Sequence, residues 1–345
     1  MENDDFQPVA TKERVIQCMT SQWYSQFAPV TIKTEFVSLK PDFVHYLNED
    51  GIVLPQSLQM PAAYGLDDVE NALSDWSSDD DDDNKEDAKV HQPNFSELNH
   101  EIQSVIDRLD GAVFPKLNWS SPSDAKWISH TGTMKCTTVS DVYLLLKSSN
   151  RTSHDLNEAF VKCSDYDGSN EPPGGFQLVL RQWEDLLPGM EFRCFVQENK
   201  LLAVCQRDYT TFYEYLDRDH EAILKEIEQF FKDYIQGRFS DVNYTFDVYR
   251  RKKNRFWIID FNPFHCVTET LLFTWQELTE LALAGDSCAA FRFVTSEAGI
   301  QPSKDAYSRL PQDFLDFSVG SDVDQIVGLL KEIDEKERLE PVEKL

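Results

Sequence analysis

Three residues combine type and spacing in a way that suits a metal-bound phosphate: Asp247, Asp260 and Asn262, in Phe246-Asp-Val-Tyr-Arg250 and Ile259-Asp-Phe-Asn-Pro-Phe264. Tyr244 to Tyr249 and Phe256 to Phe261 alternate as strands do, and the basic stretch Arg250-Arg-Lys-Lys-Asn-Arg255 joins them as a hairpin turn. Side chains alternate across a strand, so Phe246 and Val248 share one face, and Trp257, Ile259 and Phe261 share one face of the second strand. Pairing these apolar faces puts Thr245, Asp247, Ile258, Asp260 and Asn262 together on the other side; a slip of one residue would bury the acids. Two carboxylates and an amide oxygen suit Mg²⁺, a hard cation that takes one or two protein carboxylates and leaves its remaining positions to water and phosphate. The same spacing also fits an ordinary half-exposed hairpin whose acids meet solvent or the basic turn, and the residues by themselves leave both readings open.

A phosphate held there needs cationic groups from other elements. Arg193 (Glu191-Phe-Arg-Cys-Phe195), Arg207 (Gln206-Arg-Asp-Tyr209), Arg181 (Leu178-Val-Leu-Arg181), Lys116 (Phe114-Pro-Lys-Leu-Asn-Trp-Ser120) and Lys135 (Gly132-Thr-Met-Lys-Cys136) are the candidates. Any one of them alone is also an ordinary surface charge. No G-x-x-x-x-G-K-[ST] or G-x-G-x-x-G run is present, which argues against P-loop and Rossmann modes of holding a nucleotide.

The elements that must position these groups are legible around them. Phe176 to Trp183 reads as a strand, and Glu191–Val196 with Leu201–Arg207 as a hairpin about Glu198-Asn199-Lys200. Leu216 to Gly237 has the i, i+3/i+4, i+7 spacing of an amphipathic helix, with Gly237 as its stop, and Thr274-Trp-Gln-Glu277 is a capping-box spacing that opens one more helix, closed near Gly285. Upstream, Arg14–Phe27 and Phe95–Leu109 read as helices and Thr31–Leu39 as a strand.

Charge is strongly lopsided: 61 acidic against 33 basic residues in 345, a formal net charge of −28. That balance argues against a nucleic-acid backbone or an anionic membrane as main partner and fits a partner with a basic surface, or simply good solubility. Leu66–Asp87 alone carries eleven acids and one lysine, and is expected to be a disordered acidic loop; Ser77 and Ser78 precede acids there. Ser321–Leu345, with eight acids and four bases, is expected to be a charged tail around a short amphipathic helix. Hydrophobic residues at 41% are enough for a sizeable core, and no apolar run approaches a membrane span. The acidic Met1-Glu-Asn-Asp-Asp5 lacks a signal-peptide layout, and seven scattered cysteines without C-x-x-C point to reduced thiols. A cytoplasmic monomer is the expectation.

Taken together, the runs Phe114–Ser120, Leu178–Trp183, Glu191–Phe195, Gln206–Tyr209, Phe246–Arg250, Ile259–Phe264 and Leu272-Phe-Thr-Trp275 resemble the cell-division-cycle protein 123 family. An acidic insert around Trp76 and the late Arg309-Leu-Pro-Gln-Asp-Phe314 fit as well; residues 150–175 and the tail depart from the pattern. The resemblance implies an α+β ATP-grasp fold, with two lobes of antiparallel sheet clamping a nucleotide beside a smaller N-terminal α/β part. The corresponding divisions here are 1–65 (N-terminal part), 66–92 (acidic loop), 93–190 (first lobe with linker), 191–320 (second lobe with the metal hairpin) and 321–345 (tail). It implies ATP and Mg²⁺ as cofactors, little or no catalysis, and a role as an assembly chaperone that binds the gamma subunit of eukaryotic translation initiation factor 2. Carried over residue by residue, Asp247, Asp260 and Asn262 would hold Mg²⁺ and Lys116, Arg181, Arg193 and Arg207 would line the phosphates. Leu180 would offer backbone to adenine, with Lys135, Asn118 and Gln206 nearby. Two other expectations compete: a carboxylate–amine ligase, whose metal site would look the same, and a nucleotide-free acidic scaffold.

Overall fold

The computed structural model describes residues 8–49, 51, 54–55, 58, 94–284 and 288–296. The acidic stretch Leu66–Asp87 with Trp76, Ser77 and Ser78, the run Arg309–Phe314 and the tail 321–345 lie outside the described residues.

Two short helices open the chain, α1 (Lys12–Gln17) and α2 (Thr20–Phe27). The sequence suggests one helix there, but Met19 is extended (φ −59°, ψ 135°), and the Thr20 N–H donates to the Asn118 carbonyl at 3.0 Å instead of continuing the helical ladder. Then follow β1 (Thr34–Ser38), α3 (Pro41–Asn48), α4 (Ser96–Arg108), β2 (Val113–Lys116), α5 (Val139–Lys147), α6 (Asn150–Asn157) and β3 (Gln177–Gln182). The expected helix at 95–109 and strand at 176–183 are thus present to within a residue at each end.

These three strands form an antiparallel sheet in the order β1-β3-β2. Alternation turns Leu178, Leu180, Val37 and Val113 into a core shared with Ile102, Val105 and Ile106 of α4 and Val142 and Leu146 of α5. Phe114, Lys116, Val179 and Arg181 share the other face, since Phe114 pairs with Arg181 and Lys116 with Val179. α5 is well set at its start, where Thr138 and Asp141 complete a capping box.

The second sheet is built from β4 (Glu191–Gln197), β5 (Lys200–Gln206), β6 (Tyr244–Lys252), β7 (Arg255–Pro263) and β8 (Ala290–Arg292) in the order β7-β6-β4-β5-β8. Among the described residues only β8 is parallel to its neighbour, so α-helices combine there with one antiparallel and one mixed sheet. Between β5 and β6 lies α7 (Glu214–Phe230), prolonged by a π-turn at Phe231–Ile235; Gly237 ends it at φ 69°, where a side chain would be strained. Ile223, Ile227 and Phe230 of α7, with Trp23 and Phe27 of α2, cover Phe192, Cys194, Val204, Phe246 and Phe261 on one face of this sheet. The opposite face, at Phe195, Ala203 and Cys205, is covered by Phe273 and by Leu278 of α8 (Trp275–Ala284). The Thr274/Glu277 capping box forms at the head of α8, with Thr274 N–H to Glu277 at 2.8 Å and the reciprocal bond at 3.2 Å.

In the β6–β7 hairpin the strands run further than their sequence suggests. The turn is only Lys253-Asn254, with Asn254 at φ 58°, and the other basic residues lie in the strands. The apolar face also differs from expectation. Asp247 pairs with Asp260 but Val248 pairs with Ile258, so Ile259 is an extra residue, a β-bulge. That single insertion reverses the alternation beyond it: Phe256, Ile258 and Phe261 face the core, whereas Trp257 lies outside beneath the Arg251 guanidinium, 3.7 Å from its ring centre.

Candidate functional site

The bulge does not separate the two acids. Asp247 and Asp260 stand directly opposite each other on neighbouring strands, and they end a row that crosses the sheet as Arg292, Cys205, Arg193, Asp247, Asp260. Like charges placed opposite each other repel, so the pair needs compensating cations. These are close at hand. Arg193 grips Asp247 through two parallel bonds, Nε–Oδ1 and Nη2–Oδ2, both 2.8 Å, and its Nη1 donates to the Glu269 carbonyl at 2.7 Å. Arg207, just past β5, adds Nε–Oδ2 at 3.1 Å and reaches Glu191 at 3.7 Å. From the three-stranded sheet, Lys116 sets its Nζ 2.7 Å from Asp260 Oδ1. Arg181 sits deeper, donating through Nη1 to the Ile259 carbonyl and through Nη2 to Thr31 Oγ1 at 2.9 Å.

The electrostatics follow from burial against these partners. Burial opposes ionisation of Asp247, but Arg193 and Arg207 outweigh it and hold its carboxyl at about 2. Burial pushes Asp260 up and Lys116 down from their ordinary values, and each opposes the shift of the other. Burial likewise lowers Arg181, to about 10, and raises Glu191. Four basic side chains (Lys116, Arg181, Arg193, Arg207) face three acids (Asp247, Asp260, Glu191), an excess of one positive charge in a largely dry place. Such a cluster favours an incoming polyanion.

Both oxygens of Asp247 are taken by guanidinium groups. Asp260 Oδ1 meets Lys116 and the Phe261 N–H (3.1 Å), while its Oδ2 and the Asn262 side chain make no hydrogen bond among the described residues. No group of three or more His, Cys, Asp or Glu gathers into a ready-made cage among the described residues. The donor set fits Mg²⁺, which needs few protein oxygens when phosphates and water complete its shell, and would fit a self-sufficient protein cage for Ca²⁺ or Zn²⁺ poorly.

The remaining residues singled out in the sequence do other things. Asn118 accepts the Gln177 N–H at 2.9 Å and ties the loop after β2 to β3. Gln206 donates to the Thr211 and Asp208 carbonyls and accepts the Val294 N–H at 3.1 Å, fastening the segment after β5. Leu180 points its side chain into the helix-covered core, on the face opposite Arg181. Lys135 is exposed in the loop before Cys136. Three residues that pattern reading passed over support the site: Thr31, Glu191, and Asp155 of α6. Asp155 takes the Ser120 N–H and Oγ at 2.7 Å each and so steadies the loop that follows Lys116. Nothing in their local sequence sets them apart.

The D123 family model matches residues 23–318, a span that includes every residue of this cluster. The chain belongs to the D123 family. Among family proteins, the translation initiation factor eIF2 assembly protein of Xenopus tropicalis is 40% identical over 329 residues, covering 93% of this chain and 96% of that protein. The cell division cycle protein 123 of Yarrowia lipolytica is 36% identical, covering 93% and 83%. Among solved structures, the C-terminally truncated Cdc123 from Schizosaccharomyces pombe matches with a TM-score of 0.68 and 36% identity, over 84% of this chain and all of that one. Membership accounts for the α+β architecture, and it places the carboxylate hairpin within the family's shared span. Among the described residues no helix is long and apolar enough to cross a membrane.

Proposed function

We propose that this D123-family chain is an ATP- and Mg²⁺-binding assembly protein for translation initiation factor eIF2, acting through the factor's gamma subunit. The observation that carries the nucleotide part is the register-opposed pair Asp247/Asp260, ringed by Lys116, Arg193 and Arg207 at 2.7 to 3.1 Å. The assembly part rests on the names borne by relatives that align over most of their length.

In this reading the chain has an ATP-grasp architecture, in which the three-stranded sheet with Lys116 and the five-stranded sheet with the carboxylate hairpin act as the two lobes of a clamp. Asp260 and Asn262 would hold the metal through oxygens that make no hydrogen bond among the described residues, with Asp247 beside them and Arg193 and Arg207 facing the phosphates. Bound Mg²⁺ supplies a positive centre that neutralises phosphate charge. Arg193, already desolvated and fixed in direction, then loses little freedom on exchanging a carboxylate for a phosphate, and the half-exposed Arg207 can turn to the same ligand. Lys116 does the same from the facing sheet. A ligand gripped by both sheets stabilises their closed arrangement by mass action, and no cleavage is needed for that effect. The acidic surface steers the chain toward a basic face of its partner.

The test is capture of purified gamma subunit by the full chain, with Mg²⁺-ATP, with ATP in EDTA, and with neither. Capture that strengthens only with Mg²⁺-ATP is the expected result. Equal capture in all three would remove ATP from the account, and sustained ADP release driven by an added carboxylic acid and amine would replace an assembly protein with a ligase.

A further inference from the structure

We infer that Arg181 acts as a positioning residue for the carboxylate hairpin and does not serve as a phosphate ligand: with Thr31 it clamps the β7 bulge and so fixes where Asp260 points. The inference deepens the Mg²⁺-nucleotide reading and rests on it.

Of the four basic side chains at the site, Arg181 alone pairs with no carboxylate among the described residues and bonds the backbone of β7 instead. Arg193 and Arg207 bond Asp247, and Lys116 meets Asp260. Arg181 donates from Nη1 to the Ile259 carbonyl and from Nη2 to Thr31 Oγ1 at 2.9 Å; the same hydroxyl donates to the Ile258 carbonyl at 2.6 Å. Two successive carbonyls, at and beside the inserted residue, are thus fixed immediately before Asp260. Thr31 is itself docked there through a parallel bridge to Ile258.

A bulge bends its strand and re-aims the side chains around it, so its conformation sets the direction of Asp260. Among the described residues no strand pairs with β7 on its outer side, and the isolated bridge from Thr31 to Ile258 is what holds it there. Arg181 reaches that bridge from the other sheet. Its own freedom is small: the guanidinium is 0% exposed and lies between the Phe114 and Trp23 rings, 5.5 and 5.9 Å from their centres. Two of the five guanidinium N–H groups are spent on Ile259 and Thr31, and the others, the unpartnered Nε among them, are closed to solvent-borne phosphate because the residue is fully buried. Groups that orient a metal ligand in this way commonly change metal affinity by about 10- to 100-fold when lost.

The experiment follows the melting temperature of the full chain while ATP is titrated in EDTA, and while Mg²⁺ is titrated at saturating ATP. Thr31→Val keeps the β-branched shape and removes the hydroxyl; Arg181→Lys keeps the charge and removes the fork. For both, the Mg²⁺ midpoint is expected to rise about tenfold or more, and for Thr31→Val the ATP midpoint in EDTA should stay that of the unsubstituted chain. Thr31→Ser, which restores a hydroxyl, should return the Mg²⁺ midpoint toward its original value. An unchanged Mg²⁺ midpoint in Thr31→Val would overturn the inference. So would an Arg181→Lys chain that loses ATP affinity in EDTA by a larger factor than its Mg²⁺ midpoint rises, because that is the mark of a direct phosphate contact. A lack of any Mg²⁺ response in the unsubstituted chain would overturn the nucleotide reading and this inference with it, and is distinguishable from the other two results.

Discussion

Replacing Asp247 with asparagine keeps the side chain's shape and removes the one charge that two arginines share. Asp247 and Arg193 are almost fully buried, with side-chain exposures of 2% and 7%, and their two bonds are both 2.8 Å. Breaking a buried pair by removing one partner costs about 3–5 kcal/mol, since the other charge is left without compensation. Arg207 is 40% exposed and has Glu191 at 3.7 Å, so it turns to water or to Glu191 and adds little. The Glu269 carbonyl, still bonded to Arg193, offsets part of the loss. The expected destabilisation is therefore about 3 kcal/mol, a sizeable share of the ~5–15 kcal/mol that holds a domain together. Urea unfolding followed by tryptophan fluorescence measures it, with the slope unchanged and the midpoint lowered. Replacing both partners, Arg193→Met with Asp247→Leu, should recover much of the loss, because two charges then no longer need to be dried. A loss below about 1 kcal/mol for Asp247→Asn would refute the view that this pair is dry and mutually dependent.

Two further expectations follow. Asp247 titrates at about 2 when folded, against its ordinary value of 3.8. A depressed carboxyl adds stability above its unfolded value that is lost as pH falls through the folded one, so about 2 kcal/mol should disappear between pH 4 and 2; acid titration of the unfolding midpoint reads it, and Asp247→Asn should flatten that part of the curve. Deleting residues 75–87 removes much of the acidic stretch while leaving the carboxylate hairpin and its basic partners in place, so calorimetric ATP affinity should be unchanged; a large loss would tie that stretch to the site.

How much of this was readable in the sequence depended on the range of the interaction. The period-two pattern of Tyr244–Tyr249 and Phe256–Phe261 disclosed the hairpin and put Asp247 and Asp260 on one face, because that face is set by local alternation. The bulge at Ile259 escaped, since one inserted apolar residue in an apolar strand leaves no compositional mark; its consequence was the misplacement of Trp257 and Ile258. The break at Met19 was hidden for a related reason: the apolar spacing of Arg14–Phe27 continues across it, and the deciding bond comes from Asn118, some hundred residues away. Polar candidates divided by chemistry. Lys116, Arg193 and Arg207 converge on carboxylates, whereas the amides of Asn118 and Gln206 serve backbone groups, which such side chains do as readily as they bind ligands. Arg181 kept its place near the site but turned toward Ile259 and Thr31, partners that no local pattern connects to it.

The central claim is that Asp247, Asp260 and Asn262 hold Mg²⁺ on a nucleotide. Isothermal titration of ATP into the full chain and into Asp260→Ala, each with Mg²⁺ and with EDTA, tests it most directly. The account predicts that Mg²⁺ strengthens ATP binding in the unsubstituted chain and that Asp260→Ala abolishes this gain while still melting cooperatively. A variant that binds Mg²⁺-ATP as tightly as the original would contradict it.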